Sequence, residues 1–120
     1  MSESEQRKIA NLLNEHVVGC ASAHQRLLAS LENLTDEQCR QDSLLPNWSR
    51  GHVLTHLARN ADSHVHLFQS AVRGEVGKQY PSVEKRNTDI ESGSSRNASE
   101  IVVDLRVSIY GLEAAWASAN

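Results

Sequence analysis

Six histidines in 120 residues, His16, His24, His52, His56, His64 and His66, are the first sign of chemistry in this chain. His52 and His56 stand four residues apart, so on a helix they share one face, one turn from each other. Two imidazoles so placed can serve as metal ligands, or they can be two histidines at a helix edge. His52 falls in a first helical turn, at the margin of an apolar stripe, which suits a side chain leaning into an open bundle end and suits a solvated one equally. His16 and His24 lie on an apolar stripe and read as packed, hydrogen-bonded histidines, as does His64; His66 points outward. Arg50 sits at a first helical position, where its charge opposes the helix dipole. That placement is understood if Arg50 meets an anion, and otherwise it is an exposed arginine. Lys85, Arg86 and Asn87 can likewise meet carboxylates or form a solvated run. No glycine-rich phosphate loop and no Ser/His/Asp motif is visible.

The elements that must position these residues follow from spacing. Apolar or small residues at Ile9, Leu12, Leu13, His16, Val17, Cys20, His24, Leu27, Leu28 and Leu31 predict one long helix from Glu5 to Asn33, with Ser4 as its cap. Gly19 inside it suggests a closely passing neighbour. Thr35 and Gln38 form a capping box for a short helix. Pro46 and Asn47 interrupt periodicity over Asp42–Ser49, and Trp48 can pack over the bundle end. Ser49 then caps a second long helix, Arg50 to Arg73, whose buried side is Val53, Leu57, Asn60, His64, Leu67, Phe68 and Ala71. Arg59 and Asp62 fall on its outer face as solvated charges, and Gly74 ends it. Glu75 to Ser95 reads as a long loop with at most one short helix near Val83–Glu91, and loops of that length are often functional. Asn97 and Glu100 open a third long helix with the stripe Ile101, Leu105, Ser108, Ile109, Leu112 and Trp116; Asp104 and Arg106 suit its outer face. Three such helices, joined up-down-up, predict an all-α bundle in one domain, residues 1–120.

Composition narrows the class. The chain is 39% hydrophobic and 22% charged, with a net charge of −3, values of an ordinary soluble globular protein. It has no apolar run of membrane-spanning length and no apolar signal core, so a cytoplasmic location without membrane association is expected. A pI near 6.0 and few aromatic residues argue against nucleic acid as a partner. Cys20 and Cys39 do not form a C-x-x-C pair and read as free thiols, with Cys20 in the core.

The string Leu44-Leu-Pro-Asn-Trp-Ser-Arg-Gly-His-Val-Leu-Thr-His-Leu-Ala-Arg-Asn-Ala-Asp62 resembles the N-terminal metal-binding domain of mycothiol-dependent maleylpyruvate isomerases, within the wider DinB/YfiT-like group of helical-bundle enzymes. Trp48, Ser49, Arg50, His52, His56, Asn60 and Ala61 carry the match. Tyr80-Pro-Ser-Val-Glu-Lys-Arg-Asn-Thr-Asp-Ile90 resembles the family's Arg-Asn segment, and the likeness extends over residues 10–118. The resemblance implies a four-helix bundle with a divalent metal, usually zinc, at one end. The position of His52 is the family's first ligand, and His56 matches the motif beside it. The family's other two ligands come from a fourth helix, in an acidic-x-x-x-His or His-x-x-x-His pair, and this chain is expected to end before that helix. The chain therefore reads as the N-terminal part of a longer enzyme or a shortened relative.

The implied chemistry is cis–trans isomerisation of maleylpyruvate to fumarylpyruvate. A mycothiol thiolate adds to the double bond, the resulting single bond rotates, and elimination restores the alkene, with the metal stabilising the thiolate. The implied ligands are thus a small dicarboxylate and a low-molecular-weight thiol, with Arg50 and Arg86 as carboxylate clamps. A thiol-dependent S-transferase with the same metal site, or a non-catalytic helical domain that binds a partner, are the alternatives. A bundle without its fourth helix would expose an apolar groove between the first and third helices, lined by Leu13, Val17, Leu27, Leu28, Ile109, Leu112 and Trp116, and a two-fold homodimer would cover it.

Overall fold

The computed structural model describes residues 1–118. Among them the secondary structure is helical: α1 (Glu3–Ser30), α2 (Asp36–Arg40), α3 (Arg50–Val72), α4 (Val83–Ser94) and α5 (Ala98–Ala117). One isolated antiparallel bridge, Asp42 to Ser49, closes the loop before α3. No helix among the described residues is long and apolar enough to cross a membrane.

The helix boundaries follow local chemistry. The Thr35 hydroxyl accepts from the Gln38 amide while the Gln38 side chain accepts from the Thr35 amide, a reciprocal capping box. The Asn97 side chain accepts from the Glu100 amide and starts α5. α3 ends in a Schellman turn: Gly74, at φ 72°, donates to the Ala71 carbonyl and Glu75 donates to that of Ser70. α1 begins earlier than its stripe predicts, because Ser2 rather than Ser4 accepts from the Glu5 amide.

The chain reverses direction at every step. Asp36 accepts from the Ala98 amide, so the end of α1, α2 and the start of α5 share one end of the bundle. α3 leaves from that end and α4 returns to it, pairing its last turn with the first turn of α3. α5 then runs alongside α3 in the same direction, with Asp104 meeting Arg59, and antiparallel to α1, with Glu113 meeting His24. The expected up-down-up order of the three long helices thus changes: α4 makes the third pass, and α3 and α5 are parallel. Within the segment read mainly as loop, the short helix allowed near Val83–Glu91 is present and runs three residues further, as Val83–Ser94.

The core gathers Leu28, Cys39, Leu54, Ala58, Ala98, Ile101, Leu105 and Ile109. Its α3 contribution is not the expected stripe. Gly51, Leu54, Thr55, Ala58 and Ala61 are buried, while His64 and Ala71 are exposed. α3 packs on α4 as well as α5, and the added partner rotates the buried face toward the small residues. Two glycines permit this approach. A Cβ on Gly51 would stand 2.8 Å from the Ser94 carbonyl oxygen, and one on Gly93 would stand 2.5 Å from Thr55 Cγ2. Arg59 and Asp104 are half-buried rather than solvated, since Asp104 accepts from both Arg59 and Arg96.

α1 departs furthest from expectation. Its residues up to position 20 are exposed, including His16, Leu13, Val17 and Cys20, and only its last turns meet the bundle. Nothing lies within 4 Å of a Cβ built on Gly19, so no neighbour passes there. The groove between α1 and α5 is partly closed: Leu28, Ile109 and Leu112 are buried, and about 120 Å³ of cavity remains between His24, Leu27, Leu57, Leu105 and their neighbours. His24 is the packed histidine expected of it. Its Nδ1 lies 2.9 Å from Glu113 Oε1 and its ring stacks on Trp116.

Candidate functional site

The first turn of α3 builds one wall of the site. Ser49 caps the helix by accepting from the His52 amide at 3.2 Å, and His52 takes the place that Glu or Gln holds in an ordinary capping box. Its Nδ1 lies 3.1 Å from the Ser49 amide and 2.8 Å from the Ser49 hydroxyl. The cap thereby locks the imidazole and aims Nε2 away from the helix. Trp48 covers the ring in a near-parallel stack, 6.1 Å between centroids, and also leans on His56 at 5.5 Å.

Opposite stands α4. Glu91 Oε1 lies 2.9 Å from His52 Nε2. With metal–ligand bonds of about 2.0–2.2 Å, adjacent donor atoms on one ion stand about 3 Å apart, so this nitrogen and this oxygen fit two neighbouring positions of a divalent cation. As it stands, Nδ1 accepts from the Ser49 amide and Nε2–H donates to Glu91; a metal on Nε2 would move the proton to Nδ1, which would give up the amide bond and donate to the Ser49 hydroxyl, the outer-shell bond that a metal-bound histidine ordinarily makes. Among the described residues no group of three or more His, Cys, Asp or Glu side chains is placed to share an ion.

His56 has a different setting. Arg86 Nη2 donates to its Nδ1 at 3.3 Å. Burial first, and the guanidinium second, hold its pKa below the usual histidine value, which favours the neutral ring that can accept this bond. Arg86 is further fixed by Asn87 Oδ1, which accepts from Nη1 at 3.0 Å, and by the Tyr80 ring, 5.8 Å below the guanidinium carbon. Arg86 and Lys78 have no carboxylate within ion-pair distance among the described residues, whereas Lys85 is paired with Asp89.

His52, His56 and Arg86 therefore meet on the α3–α4 seam, and Arg50 does not join them. Arg50 lines a separate cleft of about 590 Å³ with Leu31, Leu34, Leu44, Val53 and Leu54. The 200° of helical rotation between positions 50 and 52 turns the two side chains to different sides. Sequence reasoning missed Glu91 and the role of Tyr80, because a short helix near Val83–Glu91 has few apolar residues to fix its faces and Tyr80 lies in the loop before it; the helical cap at Ser82, whose hydroxyl accepts from the Lys85 amide, was the available signal for the helix alone.

Comparison with known proteins agrees with this architecture. The crystal structure of the mycothiol-dependent maleylpyruvate isomerase superposes with a TM-score of 0.85 at 28% identity, covering 90% of this chain and 45% of that one. A structure of that enzyme with one histidine replaced by alanine superposes with a TM-score of 0.84 at 27% identity, over the same shares of the two chains. The chain thus spans less than half the length of the solved enzyme. No curated protein sequence shows significant similarity to it. The sequence profile of the mycothiol maleylpyruvate isomerase N-terminal domain matches residues 20–120, and the chain belongs to that family.

Proposed function

We propose that this chain carries the metal- and substrate-binding end of a metal- and thiol-dependent isomerase that converts maleylpyruvate to fumarylpyruvate with mycothiol. The observation that carries the reading is His52: locked by the Ser49 cap, roofed by Trp48, and presenting Nε2 beside Glu91, one turn from an arginine without a carboxylate partner. A divalent ion, zinc above all, would be held by His52 Nε2 with Glu91 beside it, and would keep a thiol ionised at neutral pH; the thiolate supplies the temporary carbon–sulfur bond that lets the alkene rotate. The protein's own work is placement. Arg86 offers a planar donor pair to a substrate carboxylate, which holds the double bond at a set distance from His52. Trp48 shields the His52 side from water. Of the two arginines singled out in the sequence, Arg86 carries this assignment, because it shares the seam with the histidines.

The test is turnover of maleylpyruvate with mycothiol and zinc or cobalt, together with elemental analysis. In a protein that also carries the fourth-helix ligands, His52→Ala is expected to lose both the ion and turnover, while His66→Ala keeps the ion; the 120-residue chain alone is expected to hold no stoichiometric zinc. Equal metal content in wild type and His52→Ala would refute the ligand. Turnover of another electrophile, with maleylpyruvate untouched, would move the assignment to a thiol-dependent S-transferase.

Two further properties belong to this reading. The exposed apolar stripe Ile9, Leu12, Leu13 and Val17 of α1 supports a homodimer in which two copies cover each other's stripe. The two free thiols, Cys20 and Cys39, suit a reducing cytoplasm, with burial raising the pKa of Cys39 and keeping it inert.

A further inference from the structure

Arg86 also lines a cleft of about 400 Å³ between α3, the loop after it and α4. Its charges do not cancel. Arg59 is neutralised by Asp104 and Asp62, and Asp89 by Lys85. Lys78 and Arg86 remain, both lining the cleft and both without a carboxylate partner among the described residues. Tyr80 lines it too, and its hydroxyl is buried with no hydrogen-bond partner, a state that buried polar groups rarely tolerate unless something else satisfies them. The guanidinium is also prevented from turning away. His56 Nδ1 accepts from one of its nitrogens, Asn87 from another, and the Tyr80 ring lies beneath it. Gln79 anchors the loop that carries Lys78 and Tyr80, donating to Asn60 Oδ1 at 3.1 Å and to the Ser63 hydroxyl at 3.3 Å.

We infer that this cleft is a carboxylate subsite, in which Arg86 and Lys78 bind the anion and His56 and Tyr80 are positioning residues that hold the Arg86 guanidinium toward it. A fixed guanidinium with several N–H groups unused matches the planar fork of a carboxylate, and the second cation suits a diacid. The histidine pair His52/His56 is then divided in labour: one ring faces the metal end and the other aims an arginine. The identity of the ligand as a dicarboxylate rests on the isomerase reading; binding itself is measured without turnover.

Maleate, a cis dicarboxylate, is the probe, titrated into the metal-free protein and followed by calorimetry and by the Arg86 side-chain NMR signal. Arg86→Gln is expected to weaken maleate about tenfold or more, and His56→Leu to do so about fivefold, the scale of losing a charge-assisted contact and of losing the bond that orients it. His56→Asn, which restores an acceptor near the Nδ1 position, is expected to return binding to within about twofold of wild type, a rescue that a purely structural role would not produce. His64→Ala, on the exposed face of α3, is the control and leaves binding unchanged. Wild-type affinity in Arg86→Gln, or His56→Asn as weak as His56→Leu while both remain folded, overturns the subsite. Inorganic phosphate binding as tightly as maleate overturns its carboxylate class. Maleate binding of the expected pattern without turnover of maleylpyruvate supports the subsite and fails the isomerase reading.

Discussion

The two ends of this molecule start from the same sequence signal and finish differently. The stripe of α5 and the stripe of α1 both repeat at three and four residues, yet Ile101, Leu105 and Ile109 are buried while Ile9, Leu12 and Leu13 face solvent. An amphipathic stripe states that a helix has something to hide, and only a second surface hides it. α5 lies against α3 and α1. The first two thirds of α1 meet no other element among the described residues.

Core deletion breaks the comparison most strongly. Leu105→Ala is expected to cost about 3–5 kcal/mol in chemical denaturation, against about 0.5 kcal/mol or less for Leu12→Ala in the monomer. Equal costs would mean that α1 is packed in solution. The glycines form a second pair. Gly93→Ala drives a methyl into Thr55 and is expected to destabilise by about 1–3 kcal/mol. Gly19→Ala, in open space on α1, is expected to stabilise by about 0.5–1 kcal/mol, from helix propensity alone.

A third measurement concerns what covers the stripe. Sedimentation velocity over a hundredfold concentration range is expected to show wild type associating, and Leu13→Glu remaining monomeric with an unchanged melting temperature at low concentration. A single species near 13.3 kDa throughout would remove the dimer. The smallest effect is in pH. Because the folded pKa of His56 lies below its unfolded value, the folded state binds fewer protons there. The stability it shares in is complete at neutral pH and is lost as pH falls from the unfolded value, about 6.5, through the lower folded one. Wild type is therefore expected to lose more stability than His56→Asn between pH 7.5 and pH 5, measured by denaturation at each pH; parallel curves would show that His56 titrates normally.

Much of the scaffold was legible because its signals are local. The capping box at Thr35, the cap at Ser49, the Gly74 turn and the start of α5 at Asn97 each depend on three or four neighbouring residues, and each appears where the sequence places it. The motif around His52 was legible for the same reason. Partners are not legible in this way: the stripe that carries His16 and Cys20 has no element covering it among the described residues, and α3 buries a face other than the one that carries His64. α4 itself carries few apolar residues, with Ile90 as its large buried one, so its periodicity was too faint to give it faces.

By itself the sequence determined that the chain is helical, where α3 and α5 begin and end to within a residue, that His52 and His56 share a turn, and which family motif they belong to. These are consequences of backbone capping and of the 3.6-residue repeat, which act over a few residues. Only the tertiary structure decided that Glu91 faces His52, that Arg86 bonds to His56, and that Arg50 opens onto another cleft. The two pairings between α3 and α4 span 39 and 30 residues and depend on how α4 packs on α3. That packing is permitted by Gly51 and Gly93 and rests on contacts that local periodicity does not encode.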